Sequence, residues 1–105
     1  MNNHSAITAV PTRNGSRYLQ QLSKHWSHNL EVAFTPAEGT ILFPKDMRGK
    51  SFPADATVTL RASESTLEVL VDASAPEQLE GLKGAVASHL DRFAFREAPL
   101  AFDWR

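Results

Sequence analysis

Hydrophobic residues recur at helical spacing in two parts of the chain. In the first part Thr12 is a suitable N-cap, and the pattern predicts a helix from there to about His28. Its apolar face consists of Tyr18, Leu19, Leu22 and Trp26. A second stripe on the same helix is polar and consists of Arg17, Gln21, Lys24 and His28. A helix that only covered a core would not need this basic stripe, so the stripe marks a candidate site.

The second helical pattern follows Ser74-Ala75-Pro76-Glu77, which fits a capping box with Ser74 as the N-cap. The apolar positions then come at steps of three, four, four and three, at Leu79, Leu82, Val86, Leu90 and Phe93. Gly81 and Gly84 lower the helix propensity, and we expect them to let this helix lie close to a sheet.

Short alternating or β-branched segments predict strands at residues 5–10, 30–34, 40–43, 57–62 and 66–71. The inward positions would be Leu30, Val32, Phe34, Val58, Leu60, Leu67, Val69 and Val71. Residues 44–55 predict a long loop, with Met47 and Phe52 packed on the core. Residues 100–105 alternate again and predict a short strand or an extended segment docked on the core.

The predicted order is β-α-β-β-β-β-α, with a further strand at the end if residues 100–105 form one. Strands joined by short turns pair antiparallel, and the simplest α+β arrangement puts both helices on one face of a curved antiparallel sheet. This order resembles the TATA-binding-protein-like arrangement, from which no DNA-binding role follows. We expect one domain over residues 1–105, with residues 1–4 disordered.

Composition narrows the function classes. The chain has 105 residues, a net charge of -1 and 42% hydrophobic residues, which is typical of a globular domain and not of a nucleic-acid binder. The absence of cysteine excludes disulfides and thiolate metal sites. No signal peptide or membrane span is predicted, so no membrane partner and a cytoplasmic location are expected.

The segment His25-Trp26-Ser27-His28 carries two histidines three residues apart, which on a helix can share a metal ion. A full site needs a third ligand. The ordinary interpretation is that His28 benefits from the helix dipole while His25 flanks the core. Because the ordinary interpretation is favoured, His25 and His28 remain weak metal candidates, and no metal or other cofactor is predicted.

His89, Arg92 and Arg96 lie along a flank of the second helix. If the two helices pack side by side, this flank and the stripe of Arg17, Gln21, Lys24 and His28 would form a shared basic groove for an anionic ligand. The alternative is two solvated helix faces, with Arg92 placed favourably for the helix dipole. No phosphate loop, nucleophile elbow or paired carboxylates are present, so neither an enzyme nor catalytic residues are predicted.

The chain resembles a bacterial family called domain of unknown function 2218. The resemblance rests on residues 16–22, 24–28 and 89–97 and on the ending Asp103-Trp104-Arg105, so it covers nearly the whole chain. The family is similar to domains that lie beside, or are fused to, siderophore-interacting ferric reductases in some bacteria. The resemblance therefore implies an accessory part in iron or siderophore handling, and it supplies no catalytic residues.

The leading hypothesis is a small accessory module whose basic groove binds an anionic small molecule or a protein partner. The second is a pure interaction domain, which forms a homodimer or docks a larger protein through the free sheet face or an edge strand. The third is a histidine-dependent enzyme or haem-type binder, which requires a deep pocket lined by His25 or His28. The sequence leaves open whether the chain is a monomer or a homodimer.

Overall fold

The computed structural model describes residues 4–47 and 49–105, without the side chain of Met47. The elements in this part of the chain are β1 (His4–Pro11), α1 (Gly15–Trp26), β2 (Glu31–Phe34), β3 (Glu38–Phe43), β4 (Asp46–Met47), β5 (Lys50–Ser51), β6 (Ala56–Ala62), β7 (Thr66–Ala73) and α2 (Pro76–Phe93). The predicted α+β class is confirmed, and the short ribbon of β4 and β5 is an addition within the predicted loop. Of the residues 1–4 that were predicted to be disordered, His4 instead lies in β1 and pairs with Ala73, while residues 1–3 and the predicted packing of Met47 lie outside the described part.

Five strands form one antiparallel sheet in the order β1-β7-β6-β3-β2. Val69 lies opposite Thr8 on one side and Leu60 on the other, and Ile41 lies opposite Val58. Opposite residues of antiparallel strands point to the same face, so the buried residues of the sheet share one face. Helix α1 covers β2, β3, β6 and β7 there, and α2 covers β1 and β7. Both helices therefore lie on one face, as predicted.

The hydrophobic core contains the residues that the periodicity of the sequence predicted to face inward. Val58, Leu60, Leu67, Val69 and Val71 of the second hairpin are fully buried. So is the apolar face of α1, and on α2 the positions Leu82, Val86 and Leu90 are buried, while Leu79 and Phe93 are partly buried. Each such side chain contributes roughly 1.5–3 kcal/mol through its removal from water, so this shared core fixes how the helices sit on the sheet.

Helix α1 begins later than predicted, at Gly15. Thr12 does not cap it, because its hydroxyl donates a hydrogen bond to Oε1 of Glu97 at 2.8 Å. The Oγ1 atom of Thr12 in turn accepts a hydrogen bond from the backbone N–H of Asn14 at 3.1 Å. The residue that the local sequence predicted as the N-cap is thus bonded to a side chain 85 residues away along the chain.

The helix also ends earlier than predicted, at Trp26. The backbone N–H of Leu30 donates to the carbonyl of Trp26 at 2.9 Å and closes the turn into β2. His28 therefore lies in this turn and not on the helix.

Strand β2 forms the edge of the sheet, and this changes the burial of its side chains. Leu30 and Val32 pack partly on the core, and Phe34 lies opposite Gly39 on the same face, as predicted, but it is 36% exposed. An edge strand has a neighbour on one side only, which leaves its end uncovered.

The start of α2 differs from the predicted capping box. The helix begins at Pro76 without a side-chain cap, and Glu77 is exposed. The buried Gln78 bonds to Ser74 in place of Glu77. Its Oε1 accepts hydrogen bonds from the backbone N–H of Ser74 at 2.7 Å and from the hydroxyl of Ser74 at 2.6 Å. Its Nε2 donates to the carbonyl of Ala54 at 3.1 Å. These bonds tie the loop before β6 to the helix start.

The two glycines of α2 do not bring it close to the sheet. Gly81 and Gly84 are exposed, and a Cβ at either would meet nothing within 4 Å beyond the backbone of its own helix. That prediction is wrong. Close packing occurs instead at Gly39 of β3, where a Cβ would lie 3.0 Å from Oγ of Ser23 on α1.

Residues 100–105 are an extended segment docked on the core, which is one of the two predicted forms. The backbone N–H of Arg105 donates to the carbonyl of Ile7 at 2.8 Å, and the N–H of Ile7 donates back at 3.0 Å. The N–H of Asp103 donates to the hydroxyl of Thr8 at 3.0 Å. The end of the chain thereby covers the outer edge of β1. Neither helix in the described part of the chain is long and apolar enough to cross a membrane.

Candidate functional site

Helices α1 and α2 meet through aromatic side chains. The ring centroids of His25 and His89 are 5.2 Å apart, and those of Trp26 and His89 are 5.0 Å apart. Trp26 also stands nearly perpendicular to Phe43 of β3, at 84° and 5.1 Å between centroids. Aromatic contacts of this kind add roughly 0.5–1.5 kcal/mol each beyond the area they bury. They hold the end of α1 against both α2 and β3.

A pocket of about 260 Å³ opens beside these rings, between the end of α1, the end of β3 and α2. Its apolar lining is formed by Trp26, Leu30, Phe43, Pro44, Phe52, Gly81, Leu82 and Ala85. Its polar lining is formed by Asn29, Lys50, Glu77, Gln78 and His89. Phe52, which was predicted to pack on the core, is half-buried and lines the pocket instead.

The pocket exists because two small residues stand one helical turn apart on α2. Gly81 and Ala85 lie at i and i+4, so they face the same side of the helix. A Cβ at Gly81 would meet only open space. A side chain at this position would therefore begin in open space beside the pocket.

His89 lines the pocket, and one hydrogen bond determines the tautomer of its ring. Its Nδ1 lies 2.7 Å from the backbone carbonyl of Ala85. Because a carbonyl only accepts, Nδ1 carries the proton and donates it. In the neutral ring Nε2 is then the acceptor, and no residue of the described chain bonds to it. His89 therefore offers the pocket a hydrogen-bond acceptor.

The other polar residues of the pocket lining differ in whether their side chains already have a hydrogen-bond or ionic partner. The amide of Gln78 is occupied by Ser74 and Ala54, so it belongs to the frame of the pocket. Lys50 and Glu77 are both exposed, and neither forms an ion pair within residues 4–47 and 49–105. A ligand would therefore meet one free ammonium and one free carboxylate at the pocket mouth.

A second polar cluster joins the start of α1 to the segment after α2. The carboxylate of Glu97 accepts hydrogen bonds from the hydroxyls of Thr12 and Tyr18 and from the side-chain amide of Asn14. The Tyr18 bond, then the Asn14 and Thr12 bonds, lower the pKa of Glu97. Burial, and next the Glu97 carboxylate, raise the pKa of Tyr18. All the donors are engaged within the protein, so the cluster is a structural link.

The predicted basic stripe is only partly on α1. Arg17, Gln21 and Lys24 are exposed on the side of α1 away from its buried face, and His28 is exposed in the turn that follows the helix. None of them lines the pocket.

The three residues predicted on the second flank separate from one another. His89 is half-buried and lines the pocket, whereas Arg92 is exposed on α2. Arg96 lies beyond the end of α2, with its guanidinium 5.5 Å from the ring centroid of Phe95. Of the seven predicted ligand-binding residues, the structure brings one to the pocket. A role for the other six stays a prediction.

The histidine pair that the structure forms is not the one the sequence suggested. His25 contacts His89 and, at 6.0 Å between centroids, Phe93. The pocket is lined by His89, and by neither His25 nor His28. Within residues 4–47 and 49–105 no group of three or more His, Cys, Asp or Glu side chains is arranged to hold a metal ion.

Sequence reasoning missed most of the pocket wall. Trp26 was expected only in the core, Phe43 only as the last residue of a strand, and Lys50 lay in a loop with no assigned role. The available signal was the pair of small residues Gly81 and Ala85 beside the apolar stripe of α2, which leaves room next to a core helix.

The segments that carry the family resemblance meet in the folded chain, through Tyr18 with Glu97 and His25 with His89. The chain is similar over its full length to PA4090 from Pseudomonas aeruginosa, a structure determined by NMR, with a TM-score of 0.76 and 27% sequence identity, covering 96% of that chain. No curated protein matches the chain. The model of a family described as an uncharacterized protein conserved in bacteria, DUF2218, matches residues 7–105. The chain therefore belongs to this bacterial family, as the resemblance predicted.

Proposed function

We propose that this domain binds a small, mainly apolar molecule with one acid group in the pocket between its helices. The observation that carries the proposal is an apolar pocket with His89 in its wall and an unpaired Lys50 at its mouth. Pockets of this make-up, with a few polar groups in an apolar lining, are the usual sites for small ligands.

The pocket dimensions favour a ligand of about one ring. Its volume of about 260 Å³ is near the lower end of ligand pockets, which begin at roughly 300 Å³. The Trp26 and Phe43 rings present a corner at 84°, into which a flat ring can stack on one side and meet an edge on the other.

The charges favour a single negative group on that ligand. The Lys50 ammonium can pair with a carboxylate, and Nε2 of His89 can accept a hydrogen bond from a protonated acid or hydroxyl. Glu77 also lines the pocket and would repel a second negative group. The anionic ligand predicted from the sequence is therefore proposed at this pocket, with His89 as the predicted residue that takes part.

Iron or siderophore handling is the context we propose for this binding role, on the strength of the family resemblance alone. The proposal includes an accessory function without catalysis and a cytoplasmic location, which fractionation of cells would test. The exposed Arg17 and Lys24 of α1, with His28 in the turn that follows, are proposed as the contact for an acidic protein partner, because exposed basic side chains suit such a surface.

Three soluble probes of nearly equal shape test the pocket: benzoate, benzyl alcohol and benzylammonium. We expect benzoate to shift the amide signals of residues 81–89 in NMR titrations and to bind several-fold more tightly than benzyl alcohol, with benzylammonium weakest. Lys50→Gln would lower the benzoate affinity toward that of the alcohol. Lys45→Gln, in the same segment but outside the pocket lining, would leave it unchanged. Equal binding of all three probes, or shifts away from α2, would contradict the proposal.

A protein-interaction role for the open face of the sheet is the second candidate. Ile7 and Leu70 lie opposite each other there and are 40% and 39% exposed. Exposed apolar pairs on a sheet face are typical of contact surfaces when they belong to a larger patch. Light scattering that gives a dimer mass, converted to the monomer mass by Leu70→Glu, would support this role. A monomer mass at all concentrations would exclude a homodimer.

A further inference from the structure

We propose that His25 and His89 together form an open binding site for a divalent cation of the type that prefers imidazole, namely Cu²⁺, Ni²⁺ or Zn²⁺. The two rings come from different helices, and their centroids are 5.2 Å apart. Two imidazoles that share one ion through nitrogens ~2.0–2.1 Å away have centroids roughly 5 Å apart at a tetrahedral angle. The observed separation matches the distance expected for two imidazoles that share one ion. The ion and the proposed pocket ligand would both use Nε2 of His89, so each is tested in the absence of the other.

The hydrogen bond of His89 prepares its ring for this role. Nδ1 donates to the carbonyl of Ala85 at 2.7 Å, so Nε2 holds the lone pair. Histidines that bind metal ions usually donate their other nitrogen to a carbonyl or carboxylate in this manner, which fixes the tautomer and the ring orientation. The carbonyl belongs to the same helix, so it moves with the histidine.

Neighbouring rings hold both histidines in place. Trp26 packs on His89 with 5.0 Å between centroids, and Phe93 packs on His25 with 6.0 Å at 71°. His25 is exposed and makes no hydrogen bond to the described residues, so both of its nitrogens are free to turn toward an ion. The ligands therefore need little reordering, which lowers the entropic cost of binding.

The ligand set determines the class of ion. Two imidazoles, with no thiolate anywhere in the chain, suit Cu²⁺, Ni²⁺ and Zn²⁺ and do not suit Ca²⁺ or Mg²⁺, which prefer oxygen ligands. The affinity order expected for such nitrogen ligands places Cu²⁺ first. Two protein ligands leave the remaining coordination positions to water or to oxygen atoms of another molecule.

A titration with Cu²⁺ alone, monitored by NMR and calorimetry, separates this site from other histidine sites. We expect paramagnetic broadening centred on residues 25, 89 and 93. His25→Gln and His89→Gln should each weaken Cu²⁺ binding by about tenfold or more, because each removes one of two ligands. His28→Gln and His4→Gln are matched controls and should leave the affinity unchanged.

Two results would overturn the proposal. The first is loss of binding in His25→Gln and His28→Gln but not in His89→Gln, which would assign the ion to the pair within α1 and the following turn. The second is equal Cu²⁺ affinity of the wild type and the His25→Gln variant, which is expected to fold because His25 is exposed. Benzoate binding measured in the presence of a chelator stays independent of either result.

Discussion

The phenolic hydroxyl of Tyr18 donates a hydrogen bond to the carboxylate of Glu97, 79 residues further along the chain. This bond joins the first turns of α1 to the segment that follows α2. Since both helices lie on the same sheet face, the bond fixes one end of the inter-helix junction, while the contacts of His89 with Trp26 and His25 fix the other. The pocket lies next to the second of these ends.

Glu97 is expected to make stability depend on pH. Its pKa is lowered in the folded protein, so its contribution is present above the ordinary value of 4.5 and is lost as the pH falls through the folded-state value. Glu97→Gln should therefore destabilise the protein at pH 7, by on the order of 1 kcal/mol because the carboxylate is exposed. Urea unfolding at pH 7 and near pH 3 should show this difference shrinking in acid.

Glu64→Gln, in the exposed turn between β6 and β7, is the control for this experiment and should show no such pH-dependent difference. A stability difference between wild type and Glu97→Gln that is the same at both pH values would contradict the assigned role. Tyr18 has the opposite pH dependence in the alkaline range. Because its pKa is raised in the folded protein, the stability that it contributes is lost as the pH rises above 10.0.

Ser23 and Gly39 should be energetically coupled. The hydroxyl of Ser23 is buried and has no hydrogen-bond partner among the described residues, so Ser23→Ala should stabilise the protein by up to ~1 kcal/mol. Gly39→Ala alone should cost about 1–3 kcal/mol, since its Cβ would lie 3.0 Å from that hydroxyl oxygen. In the double variant the oxygen is absent, and chemical unfolding should show a cost of Gly39→Ala smaller by at least ~0.5 kcal/mol. Additive effects of the two substitutions would show that the contact is not strained.

Removal of residues 102–105 should destabilise the protein and open the edge of β1. Phe102 and Trp104 pack partly on the core, so their loss should cost roughly 2–4 kcal/mol. The amide of Ile7 would lose its acceptor on Arg105, and its hydrogen exchange should accelerate far more than that of amides in β6. Unchanged protection of Ile7 in the truncated chain would contradict the docking of this segment.

Local periodicity was sufficient for the fold because it reports which side of each element faces the core. The alternation through Val58 and Leu60 and the stripe through Leu82, Val86 and Leu90 predicted buried faces that the structure confirms. The wrong predictions concern residues whose hydrogen bonds are made to partners far away along the chain. Thr12 bonds to Glu97 instead of capping α1, and Gln78 replaces Glu77 because Ala54 lies beside it.

The candidate site was less predictable because its wall comes from several separate segments. The sequence singled out His89 among the charged and polar residues of α2, and this residue lines the pocket. Lys50 and Phe43 join it only because the end of β3 and the following ribbon pack beside α2. The positions of those segments depend on the angle between helix and sheet, which no local pattern specifies.

The central claim, that a ligand occupies the pocket over Gly81, is tested most directly by comparing benzoate affinity in two glycine variants. Gly81→Leu places a side chain in the open space of the pocket, whereas Gly84→Leu places one in open space that is not part of the pocket lining. Both variants gain helix propensity of roughly 0.5–1 kcal/mol, so their stabilities are matched. We predict that Gly81→Leu loses benzoate binding by about tenfold or more while Gly84→Leu binds like the wild type. Equal affinity in both variants would contradict the claim.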